Sequence, residues 1–142
     1  MDANFFFARW WVGRTYEAKG DYIAAIAEFE KNALVAGEDR DRAKAKYDAL
    51  RDAFATGGER GYWQKRLETG WSEPRGNTYP NSPYYLAEMH ARLGNKERAL
   101  DSLEKAYEVG DTIHWLKFDP YWDNLREEAR FKALLRQVGL EK

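Results

Sequence analysis

Small and apolar residues recur along this chain at the three- and four-residue intervals of an amphipathic helix, and they do so in two matching runs. Gly13, Tyr16, Gly20, Ala25 and Phe29 are answered by Ala87, His90, Gly94, Ala99 and Leu103, each pair 74 residues apart. That distance is two periods of about 34 residues plus a short insertion, the length of stacked helical hairpins with a degenerate copy between two clear ones. In each run a small residue lets a second helix approach closely, and the aromatic residue or histidine three positions on shares its face. Gly20-Asp21 and Gly94-Asn95 fit a helix end in the left-handed conformation followed by an N-capping side chain. Ala25 with Phe29, and Ala99 with Leu103 and Ala106, give the second helix of each pair an apolar stripe turned toward the first.

The spacing predicts helices over residues 3–18, 22–36, 40–56, 59–70, 83–93 and 96–109, a short turn near Trp115 and a last helix over 127–138. Residues 71–83 hold three of the four prolines and are expected to form the main loop. The expected organisation is one all-α domain: hairpin 3–37, a divergent hairpin 40–70, loop 71–83, hairpin 83–110 and a C-terminal cap 111–140. Phe131, Leu134, Leu135 and Val138 give the last helix the apolar face with which a cap covers the open end of a stack. Helix one is different. Phe5, Phe6, Phe7, Trp10, Trp11 and Val12 put apolar groups on nearly every side of it. A missing preceding hairpin, a homodimer formed through this helix, and a groove filled within the monomer all stay open as explanations.

The order of small residue, aromatic, turn glycine, alanine and aromatic or leucine resembles the tetratricopeptide repeat. The first copy departs from that pattern at Asn32, where the family has alanine, and at Gly37, where proline is usual, which is expected to weaken the closing end of the hairpin. The stretch from Ala53 through Gly57, Gly58, Gly61, Tyr62 and Trp63 is similar to the C-terminal tetratricopeptide segments of bacterial multidomain signalling and transcription regulators. So is the tail from His114-Trp115-Leu116 through Asp119-Pro120, Leu125-Arg126 and Arg130-Phe131 to Leu134-Leu135. The resemblance implies a right-handed superhelix of three antiparallel hairpins that binds or spaces other domains. Carrying its register across places Phe7, Trp10, Trp11, Arg14 and Glu17 on the inner surface from the first hairpin, and Tyr84, Tyr85, Glu88 and Arg92 from the third. Lys44, Asp48 and Arg51 share a polar face of the middle hairpin and are expected to complete an aromatic groove of mixed charge. Aromatic and arginine side chains supply much of the binding energy at protein interfaces, which makes this groove the candidate site. The carboxylate clamp of chaperone-binding members is not matched, since the corresponding positions hold Trp10, Arg14, Asn81 and Tyr85.

Composition narrows the function. There are 23 basic and 24 acidic residues, so no bulk charge draws the chain to nucleic acid or anionic lipid. Arg126, Arg130, Lys132 and Arg136 form one basic strip and Lys44, Lys46 and Arg51 another, but acidic residues interleave both, which is the pattern of a solvated face. The absence of cysteine removes thiol chemistry, and three serines (Ser72, Ser82, Ser102) with two histidines are thin material for a nucleophile and base. His90 takes the packing position of Tyr16, and His114 has no second histidine at helical spacing, so no metal site is expected. Gly57, Gly58 and Gly61 lack the following lysine and serine or threonine of a phosphate loop, and are read as a tight interhelical turn. No secretory leader and no membrane span is evident, which leaves a cytoplasmic chain as the default expectation. The expected function is a non-catalytic protein-interaction or regulatory scaffold module, without cofactor, binding a protein or peptide. The alternative is a sensor of a sugar or flat effector, with Trp10, Trp71 and Tyr79 as walls of its pocket.

Overall fold

The computed structural model describes residues 3–69, 83–110 and 116–139, with side chains from residue 8 onward. Among the described residues all regular structure is helical: α1 (Ala3–Ala18), α2 (Tyr22–Val35), α3 (Arg40–Thr69), α4 (Pro83–Arg92), α5 (Lys96–Val109), a 3₁₀ turn (Pro120–Trp122) and α6 (Ala129–Gln137). The chain divides into two units, Met1–Pro80 and Asn81–Lys142. The loop expected over 71–83 lies, up to residue 82, outside the described residues, as does the turn expected at Trp115.

In the first unit α1 and α2 form an antiparallel hairpin whose turn follows from its glycine. Gly20 adopts φ +80°, a left-handed conformation that side-chain-bearing residues disfavour. Its N–H donates to the Glu17 carbonyl at 3.0 Å, and the Asp21 N–H donates to the Tyr16 carbonyl at 2.9 Å. This paired bonding satisfies carbonyls that a helix end would otherwise leave open. The Asp21 carboxylate then accepts the Ala24 N–H at 3.1 Å and starts α2. Gly13 permits the close crossing, because a Cβ there would stand 2.5 Å from the Phe29 ring.

The closing end of the hairpin is better specified than departure from the repeat pattern suggests. Gly37 N–H donates to the Leu34 carbonyl and Glu38 N–H to the Ala33 carbonyl, and Asp39 accepts the Arg42 N–H at 2.9 Å. Glycine and aspartate thus stop α2 and start α3 without the usual proline. Asn32, at an alanine position of the family, is buried.

The turn expected at Gly57, Gly58 and Gly61 is a break within α3, where Gly58 leaves the helical region. The two limbs fold back sharply, since a Cβ on Gly61 would lie 2.3 Å from the Ala53 carbonyl oxygen. Gly61→Ala is therefore expected to lower the free energy of unfolding by about 1–3 kcal/mol, as overpacking against immovable backbone does. Urea denaturation checks this, and an unchanged midpoint would contradict the fold-back. Tyr22 joins both limbs: its ring centroid is 5.3 Å from that of Phe54, 4.6 Å from Tyr62 and 6.0 Å from Trp63. Its hydroxyl donates to Glu59 at 2.7 Å and accepts the Trp63 indole N–H at 3.2 Å.

The second unit repeats the backbone bonding of the first turn, but the Asn95 side chain, expected as an N-cap, makes no capping hydrogen bond where that of Asp21 does. Gly94 takes φ +79°, its N–H donates to the Ala91 carbonyl, and the Asn95 N–H donates to the His90 carbonyl at 2.8 Å. Ala87, Ala99 and Leu103 are fully buried between α4 and α5. The chain then returns over this hairpin, adding Leu116, Trp122, Leu125, Phe131 and Leu134 to the same core. The last helix starts at Ala129, two residues later than expected. All four apolar positions marked on it contribute, Phe131 and Leu134 buried, Leu135 and Val138 partly so.

Candidate functional site

In the first unit the nominated residues separate into an interior cluster and a surface row. Arg14 and Glu17, three apart on α1, form an ion pair of 2.9 Å. The second Glu17 oxygen accepts the Tyr62 O–H at 2.6 Å and lies 3.6 Å from Arg66 Nε. Glu17 is only 1% exposed and Arg14 5%, so these two are interior rather than walls of an open groove. Aromatic faces complete the surroundings: the Arg14 guanidinium lies 5.7 Å from the centre of the Trp10 ring, and that of Arg66 lies 4.9 Å from Phe29. Burial first, and then the Glu17 charge, pushes the Tyr62 phenol well above its ordinary value. A phenol held protonated in this way is an anchor for the carboxylate and not a proton source near neutral pH. Tyr47, also buried, is pushed up to about 12.

Lys44, Asp48 and Arg51 are brought together on the surface of the first limb of α3. Lys44 Nζ is 2.5 Å from Asp48, and Arg51 bridges Asp48 and Glu30 of α2 at 2.9 Å each. The bond to Lys44 holds the Asp48 carboxyl below its ordinary value. Exposed pairs of this kind add little stability, but they fix a row of alternating charge that a partner can meet.

Trp10 is buried, its ring 5.0 Å from that of Trp11. Trp11 is 58% exposed and Val12 beside it is also exposed. The Phe7 side chain lies outside the described residues. Trp71 and Tyr79, the other walls of the small-ligand pocket considered above, lie outside them too, as does His114.

In the second unit Tyr84, Glu88 and Arg92 occupy one stripe of α4 at four-residue intervals, with Tyr85 next to the first (ring centroids 6.1 Å). The stripe is covered by the chain itself. The Tyr84 hydroxyl donates to the Asp119 carboxylate and accepts the Trp122 indole N–H at 3.3 Å. The two rings meet edge to face with centroids 5.5 Å apart. Arg92 lies 3.5 Å from Glu88 and places its guanidinium 4.5 Å from the centre of the Tyr121 ring. Burial, reinforced by the bond to Asp119, raises the Tyr84 phenol far above its ordinary value.

Elsewhere in this unit Arg130 of the basic C-terminal strip is held by Glu97, Asp101 and Glu104 of α5, at 2.6–2.9 Å. Those bonds, Glu104 first, raise its already high pKa, and they turn the strip's central cation to tying α6 onto α5. His90 is half-buried and pushed below its ordinary value by burial and then by Arg98, which suits its packing position.

Tyr62, Arg66, Asp119, Tyr121 and Trp122 were not marked by sequence reasoning as partners of the nominated residues. A signal existed for the first pair in their four-residue spacing on α3. For the others Asp119-Pro120 signals a break but not a docking contact.

No protein-family model matches this chain, and no curated protein or solved structure is significantly similar to it. Among the described residues no group of three or more histidine, aspartate or glutamate side chains could hold a metal ion. Among them, too, no helix is long and apolar enough to cross a membrane.

Proposed function

We propose that this chain is a non-catalytic protein-interaction or regulatory scaffold module, built as a right-handed tetratricopeptide-like superhelix and binding a peptide or a neighbouring domain. The observation that carries the reading is the hairpin made twice in the same way, with the same pair of turn hydrogen bonds at Gly20 and Gly94, and with Gly13, Phe29 and their counterparts Ala87 and Leu103 all buried. Stacked hairpins of this kind present helix faces as extended binding surfaces. The Tyr62 and Tyr84 phenols, both raised by burial, are bound into the packing of their units. The exposed Trp11 and the charged row at Lys44, Asp48 and Arg51 have the chemistry of a contact surface.

Peptides selected against the full chain from a randomised display library test this. Trp11→Ala is expected to weaken the selected binder at least about tenfold while leaving the helical circular dichroism signal unchanged, because an exposed ring adds little to the core. Unchanged affinity for every selected binder would remove Trp11 from the contact surface, and failure to select any binder would count against the module itself.

A further inference from the structure

We draw no further inference here: the strongest candidate, the exposed face of α1 that carries Trp11 and Val12 with Ala8, Thr15 and Ala18 beside them, belongs to the contact surface already proposed, and nothing in the structure shows which occupant covers it.

Discussion

Glu17→Ala is expected to destabilise the protein by about 3–5 kcal/mol, the cost of removing one member from a buried ionic cluster. Glu17 meets Arg14 at 2.9 Å, Tyr62 at 2.6 Å and Arg66 at 3.6 Å, and all four side chains are almost wholly buried. Removing the carboxylate takes from both guanidinia the anion that they share, and from the Tyr62 hydroxyl its acceptor. Glu17→Gln keeps an acceptor for the phenol but discards the charge, so its loss is expected to be smaller. The midpoint of urea denaturation at constant slope measures both. A loss below 1 kcal/mol for the alanine variant would show that the cluster is open to water.

Trp122→Ala is expected to have an effect of the same size, about 3–5 kcal/mol, for a different reason. Here the cost is a cavity. The indole is fully buried in the core shared by α4, α5 and the returning segment, packs on Tyr84 and donates its N–H to the Tyr84 hydroxyl. Truncation removes the largest side chain of that core among the described residues and leaves the Tyr84 hydroxyl with one bond fewer. Thermal unfolding followed by circular dichroism checks the prediction, and a variant as stable as the parent would mean that Trp122 is peripheral. Together the two substitutions probe a buried ionic cluster in the first unit and an aromatic core contact in the second.

The parts of this fold that sequence made legible are those specified by neighbours in the chain. The turn at Gly20-Asp21 and its backbone twin at Gly94-Asn95 are spelled locally, because a left-handed glycine closes the first helix in each; the side-chain cap expected after it forms at Asp21 and not at Asn95. The break in α3 was legible from three glycines in five positions for the same reason. The close crossing at Gly13 was legible from the small residue at that repeat position, which Ala87 fills in the second copy.

The candidate site was less legible because its contacts join residues far apart in the chain. Arg14 and Glu17 look like an ordinary solvated pair on α1. What turns them inward is Tyr62 and Arg66, more than forty residues later, and no local period announces that meeting. Tyr84 likewise looks like a groove residue until Asp119 and Trp122 return to cover it. By contrast Lys44, Asp48 and Arg51 meet on one helix, since spacings of three and four are enough to bring them together.

Amide hydrogen exchange of the full chain with and without a saturating selected peptide, read alongside the mass of the peptide afterwards, decides whether this chain binds a protein segment through its helix faces without altering it. The peptide is expected to keep its mass, and exchange to change on helix surfaces, in α1 around Trp11, along the Lys44 to Arg51 row, or over α4 and the segment that covers it. A peptide cleaved or modified by the chain, or exchange unaltered in all of these helices, would contradict it.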